Sequence, residues 1–330
     1  MKYAKRLVAL VCLFTFLALA LASCQLSKSS VTTVRVGGMK GPTSIGMAKL
    51  MADSQNKKTD LPYEFTIAAS ATELTPLLIQ GKLDIAAVPA NLAAVLHAQT
   101  EGEIMVLAIN TLGVQYFVKR GDVTLESVTD LKGKTIYATG KGTVNEYNLR
   151  YLLTQNGLDP DADVTVEWKS EPTEVVAILK MTDNAVAMLP QPYVTIAQSN
   201  VEGLSVALSM EEEWNKVVTN GSRMITGVLV VRRDFAENNK ALLKAFLREY
   251  EASTQYVNAH PDEAGTWVET FIGVKAPIAT KAIPHCNITC ITEGDMKGAL
   301  APYLAVLFEQ NPKAIGGAMP ADDFYYSASN

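Results

Sequence analysis

Short apolar runs of five or six residues alternate along this chain with stretches whose apolar positions recur every three or four residues. Val34 to Gly38 reads as a buried strand, followed by a loop from Met39 to Ser44 and a helix to about Ser54. About one hundred residues later the order returns: a strand at Thr135 to Thr139, a loop from Gly140 to Thr143, and a helix to about Asn156. Tyr63 to Ala68 and Val164 to Trp168 alternate like strands, and each leads to a serine, Ser70 or Ser170, placed to cap a helix over 72–80 or 172–181. Ser70 with Glu73 and Thr143 with Glu146 have capping-box spacing. Two apolar runs ending at proline, Asp84 to Pro89 and Asn184 to Pro190, predict buried strands that enter helices over 91–99 and 192–199. Ile104 to Ile109 and Leu204 to Leu208 are the next matching strands.

This period is too long for a solenoid. Alternating strand and helix signals instead imply an α/β fold of two lobes, each with a mixed, mostly parallel sheet. Two further extended segments, Val114 to Lys119 and Met224 to Val231, read as strands crossing between the lobes. Lobe I is then 31–112 together with 224–330, and lobe II is 113–223. Helical spacing over 240–259 and 293–309 makes the C-terminal part helical. Trp168 and Trp214 read as packing within or upon lobe II, and Glu211 to Glu213 as charge in the first turn of a helix.

The start of the chain is of another kind. Lys2, Lys5 and Arg6 precede an apolar stretch from Leu7 to Ala20, which makes residues 1–23 a signal peptide rather than part of the fold. Leu21-Ala22-Ser23-Cys24 resembles a lipoprotein cleavage site, with Cys24 as the residue to be acylated and 24–30 as a short tether. The competing reading, an uncleaved membrane helix, is disfavoured by the small residues and the polar stretch that end the apolar run. Cys286 and Cys290 remain, four apart; a local disulfide and two buried thiols both fit, and a metal shared with His285 fits poorly. A formal charge of −5 argues against a nucleic-acid binder, and three histidines give little material for a metal site. No cofactor or metal is expected.

Several segments together resemble the substrate-binding lipoproteins of bacterial ABC importers of the nitrate/sulfonate/taurine type, a group that also includes binders of thiamine-pyrimidine precursors. They are the Cys24 site, Gly81-Lys82-Leu83-Asp84-Ile85-Ala86, Asp130-Leu131-Lys132-Gly133-Lys134, Thr226 to Asp234, and Asn258-Ala259-His260-Pro261-Asp262-Glu263-Ala264. The resemblance implies a periplasmic-binding-protein-like (type II) fold. It also implies a monomeric, lipid-anchored protein outside the cytoplasm, which captures a small molecule between its lobes and passes it to the membrane subunits of an importer. An enzyme of cofactor biosynthesis on the same fold, or an extracytoplasmic ligand sensor, is the alternative. No nucleophile–histidine–acid set supports the enzyme.

Ligands of open α/β sheets bind beyond the carboxyl ends of the strands. The loops at those ends nominate Lys40, Pro42, Thr43 and Ser44 in lobe I and Gly142, Thr143 and Asn145 in lobe II. The post-proline loops add Asn91, Gln191 and Tyr193; the crossings add Asn110, Thr111 and Thr226. Thr43, Ser44, Thr143 and Asn91 also suit plain helix caps. Gly140-x-Gly142 lacks the third glycine of a dinucleotide loop. No arginine stands in these loops, which disfavours a bidentate anion clamp and favours a pyrimidine-like or other vitamin-precursor solute over a small anion. Replacing Cys24 by serine is expected to abolish fatty-acid incorporation in metabolic labelling; persistent label on the variant would refute acylation at this residue.

Overall fold

Two sheets, of six and five strands, organise the computed structural model, which describes residues 32–328. The expected signal peptide, Cys24 and the 24–30 tether lie outside the described residues. The first half runs β1 (Val34–Met39), α1 (Pro42–Ile45), α2 (Ala48–Gln55), β2 (Tyr63–Ala68), α3 (Ala71–Ile79), β3 (Ile85–Pro89), α4 (Ala90–Gln99) and β4 (Ile104–Leu112). Gly113 and Val114 carry the chain across to β5 (Gln115–Arg120). The order then repeats as β6 (Thr135–Thr139), α5 (Val144–Gln155), β7 (Thr165–Lys169), α6 (Pro172–Met181), β8 (Ala185–Pro190), α7 (Tyr193–Asn200), β9 (Leu204–Ser209) and α8 (Met210–Val217). Residues 218–224 return to β10 (Ile225–Arg232). Then follow α9 (Arg233–Asn238), α10 (Lys240–Ala259), α11 (Pro261–Ile272), α12 (Ala276–Ala282), β11 (Ile288–Ile291) and α13 (Glu293–Gln310).

The six-stranded sheet has the order β11-β4-β10-β3-β1-β2 and the five-stranded sheet β7-β6-β8-β5-β9. β1 pairs in parallel with β2 and β3, and β6 with β7 and β8, as the alternating pattern predicts. The antiparallel share is larger than that pattern suggests. β10 pairs antiparallel with β3 and β4, and β5 with β8 and β9. The reason is the crossing: a strand arriving from the other sheet enters at the end where β1, β3, β6 and β8 finish, so it must run opposite to them. The crossings proper are therefore Gly113–Val114 and residues 218–224, and each extended segment becomes an interior strand of one sheet.

The halves are not joined by backbone alone. Trp214 on α8 is fully buried, with the ring of Tyr151 on α5 at 4.4 Å and that of Tyr303 on α13 at 5.7 Å. Its indole N–H donates to Ser222 Oγ at 3.2 Å, on the returning crossing. Tyr303 donates through its hydroxyl to Asn148 Oδ1 at 3.0 Å. Trp214 thus packs at the junction of the two halves rather than within one.

Cys286 and Cys290 are free thiols, which resolves the open disulfide question. They belong to different packing clusters: Cys286 lies among Ile45, Val257 and Ile283, and Cys290 against the cluster of Phe246 and Tyr250. Burial pushes both thiols up to about 12, the state of inert core cysteines. Ser70 forms no cap to the backbone of α3; its hydroxyl bonds the Glu73 side chain instead.

Emptying the junction should be costly. Trp214→Ala is expected to remove about 3–5 kcal/mol of stability in a urea titration, and a loss below about 1 kcal/mol would place Trp214 outside the supporting core.

Candidate functional site

The finishing ends of β1, β3, β6 and β8 and the starting ends of β5 and β10 surround a cleft of about 460 Å³. From the six-stranded half it is lined by Met39, Lys40, Gly41, Pro42, Thr43, Ala69, Pro89, Asn91, Leu92 and Thr226. Gly140, Thr143, Val144, Asn145 and Pro190 face them from the five-stranded half, and Val114 and Gln115 form the floor. A larger hollow of about 610 Å³ lies at the opposite end of the strands of the six-stranded sheet, by the ends of α3 and α4. Its charged pair, Arg232 and Asp234, is already bonded together. Unmet bonding capacity distinguishes the cleft.

Five buried side-chain atoms have no hydrogen-bond partner here: Thr43 Oγ1 and Gln115 Oε1 on residues that line the cleft, and Ser44 Oγ, Asn110 Oδ1 and Thr111 Oγ1 on residues behind the lining. Thr43 is 4% exposed, Gln115 5% and Asn110 1%. An unsatisfied buried polar atom costs about 1–3 kcal/mol, and native structures keep such atoms where a ligand or water supplies the missing bond.

Local backbone explains how they come together. Between β4 and β10 the register steps from Gly227 opposite Thr111 to Val228 opposite Ile109. Asn110 is therefore the extra residue of a bulge, a device that re-aims a side chain. Its Nδ2 donates to the Thr43 carbonyl at 3.0 Å, which fixes Oδ1 as the free end. Opposite it, a Cβ on Gly227 would stand 2.5 Å from Thr43 Cγ2 and 2.7 Å from Asn110 Oδ1. Only glycine lets α1 and the bulge approach so closely.

The sequence-nominated residues divide into two sets. Lys40, Pro42, Thr43, Asn91, Thr143, Asn145 and Thr226 line the cleft. Asn91 also donates to the Ala314 carbonyl at 3.2 Å, and Asn145 to the Thr139 carbonyl at 3.2 Å. Ser44, Asn110 and Thr111 stand behind the lining, fully buried. Gly142 is exposed beside the cleft, its N–H donating to Glu146 Oε2 at 2.6 Å. Gln191 and Tyr193 do not line it. Gln191 Oε1 accepts from Thr195 Oγ1 at 2.9 Å, and Tyr193 packs against the core behind β8. Gln115 was not among the nominated residues; its place on a strand immediately after a glycine crossing was the available signal.

The electrostatics are mild. Lys40, exposed at the rim, is the one charged residue among those lining the cleft. The N-terminus of α5 points to the cleft, yet its positive end already meets the Glu146 carboxylate. Hydroxyls, amides and apolar carbons supply the remaining chemistry. None of the three histidines lines the cleft: His97 bonds the Ile104 carbonyl at 2.8 Å, His260 stacks on Tyr256, and His285 lies before β11. Among the described residues no group of three or more metal-binding side chains lies together.

A family model described as NMT1/THI5 like matches residues 57–264. No curated protein matches the sequence. Solved structures share the fold at low identity. An ABC transporter protein from Parabacteroides distasonis superposes with a TM-score of 0.76 at 21% identity, covering 90% of this chain and 99% of that one. The periplasmic aliphatic sulphonate binding protein SsuA from Escherichia coli gives 0.70 at 16%, covering 89% and 92%. A ligand-binding component of an ABC-type import system from Staphylococcus aureus, with zinc bound, gives 0.66 at 16%, covering 89% and 96%. The two mixed sheets are thus those of periplasmic-binding-protein-like folds.

Thr143 caps α5, accepting from Asn145 N–H at 3.3 Å, and donates to the Gly140 carbonyl at 2.6 Å. Thr143→Ala is expected to cost about 1 kcal/mol of stability by urea titration, and Thr143→Ser to restore most of it. Equal losses in both variants would show that the hydroxyl does not hold this loop.

Proposed function

The chain belongs to the NMT1/THI5-like family, and from that membership and the cleft we propose that it is an extracytoplasmic solute-binding protein of an ABC importer. Acylated Cys24 anchors it to the bacterial membrane. Lobe I is 31–112 with 224–330, lobe II is 113–223, and a solute held between them favours a closed state that the membrane subunits recognise. The observation that carries this reading is the pair of unpartnered polar atoms on lining residues, Thr43 Oγ1 and Gln115 Oε1. A solute that bonds to them from one wall and reaches Thr143 or Asn145 on the other bridges the lobes.

The same atoms describe the solute. Gln115 Oε1 can only accept, so the solute presents an N–H or O–H donor to it. The lining carries no arginine and no acid, so the solute is uncharged or carries one negative charge that reaches Lys40 at the rim. The lining without arginine does not favour a sulphonate, the ligand class in the name of the Escherichia coli neighbour. A volume of about 460 Å³ suits a single small ring system with short substituents. The lack of histidine at the cleft favours binding over catalysis.

Gln115→Leu tests the reading from both sides. Replacing an unsatisfied buried amide by an apolar side chain is expected to raise the stability of the solute-free protein. The same change is expected to weaken the solute identified by native mass spectrometry about tenfold, or 1.4 kcal/mol, in calorimetric titration. Unchanged affinity, or a radius of gyration unaltered on saturation, would refute capture between two lobes.

A further inference from the structure

Two Asn-Gly dipeptides occur in the sequence, Asn156-Gly157 and Asn220-Gly221. A glycine after asparagine leaves its peptide nitrogen open to the asparagine Cγ, because no Cβ stands in the way. In an unfolded chain the two would react at similar rates. The fold treats them differently. Asn156 is the C-cap of α5, and its Nδ2 donates back to the Leu152 carbonyl at 2.8 Å, away from the next peptide. That peptide's N–H, of Gly157, donates to the Thr154 carbonyl at 3.0 Å. Both reacting groups are thus engaged elsewhere. Asn220 lies exposed on the returning crossing, and its side chain turns forward, so that Oδ1 accepts from the Ser222 N–H at 3.0 Å. This turn carries Cγ toward the Gly221 nitrogen. Gly221 is exposed at φ 75°, and its N–H finds no partner among the described residues. Ser222 is held in place: it is 2% exposed, and its Oγ accepts from the Trp214 indole.

We propose that Asn220-Gly221 is a site of spontaneous deamidation in the returning crossing, promoted by the fold, while the same dipeptide at the end of α5 is protected by it. The Gly221 nitrogen gives its proton to water or hydroxide and attacks Cγ of Asn220, forming a C–N bond. Negative charge then develops on Oδ1, where the Ser222 N–H already points. Nδ2 takes up a proton, the Cγ–Nδ2 bond breaks, and ammonia leaves. Water opens the resulting five-membered imide at either carbonyl, which gives aspartate or isoaspartate. Nothing is oxidised or reduced; one water is consumed and the amide becomes a carboxylate.

The product loses a bond between the halves. Asn220 Nδ2 donates to the Pro302 carbonyl on α13 at 3.4 Å, and a carboxylate oxygen in its place can only accept. The modified crossing is therefore held less firmly against α13. The inference is independent of the solute-binding reading, since it needs neither the cleft nor a solute.

The purified protein, incubated in a mildly alkaline buffer and sampled over time, is mapped by peptide mass spectrometry, with isoaspartyl methyltransferase reporting the isoaspartate. Conversion at Asn220 is expected to run about tenfold faster than at Asn156, which must first break the hydrogen bonds that engage it and Gly157. In denaturing urea the two rates are expected to converge. Hydrogen–deuterium exchange then compares the wild type with Asn220→Asp, which carries the new charge on an ordinary backbone. Exchange over 218–224 is expected to rise about two- to tenfold in the variant, the effect of one lost hydrogen bond. Equal or reversed rates in the folded protein, or a preference for Asn220 that survives in urea, overturn the proposal. Unaltered exchange in Asn220→Asp overturns the loosening of the crossing.

Discussion

The antiparallel pairing of β4 with β10 governs the molecule. One strand carries the chain out of the six-stranded sheet and the other brings it back, and they lie side by side over nearly their whole length. Both crossings must therefore leave from one end of one sheet, next to each other. Everything later placed between the halves inherits this geometry: the cleft floor and the Trp214 contact with Tyr303. The bulge at Asn110 belongs to the same ladder. One of the three register shifts in this ladder turns the Asn110 amide toward α1, where it donates to the Thr43 carbonyl.

Rigidity and unmet bonding are arranged on the same elements. Asn110, Thr111 and Gln115 stand on strands embedded in their sheets, with apolar residues such as Ile109, Leu112 and Phe117 around them. The cost of the unpartnered atoms is thus carried by a core that cannot relax to satisfy them. The opposite wall is different. Thr143, Asn145 and Glu146 satisfy one another and the adjacent backbone, so it presents a finished surface. One wall demands hydrogen bonds and the other offers shape, which separates this cleft from sites built around a charged clamp.

The repeat was legible because strand and helix periodicity are local, and most strand limits agree with the pattern within one or two residues. β11 escaped notice because four residues after two helical turns carry no period of their own. The lining of the candidate cleft was legible in part. Loop residues at strand ends, such as Thr43 and Thr143, follow from topology alone. The place of Gln115 on the floor depends on which strands become neighbours, and no local pattern encodes that. Gln191 and Tyr193 show the converse error. Symmetry with Asn91 suggested a cleft position, yet Gln191 found a nearer partner in Thr195 and turned into its own helix. A repeat preserves backbone order more faithfully than it preserves where side chains point.

The two sheets also differ in how they recruit the chain. All five strands of the smaller sheet come from one continuous stretch, Gln115 to Ser209. The larger sheet takes β1 to β4 from before that stretch, and β10 and β11 from after it, with β10 inserted between β4 and β3. Its interior ladder cannot close until the whole intervening segment has been threaded past. Loop-closure entropy therefore sets an order of assembly: the inner half can nucleate by itself, while the outer half waits as unpaired strands. During that interval the edges of β3 and β4 lie open to other chains, so misassembly should concentrate in the larger sheet.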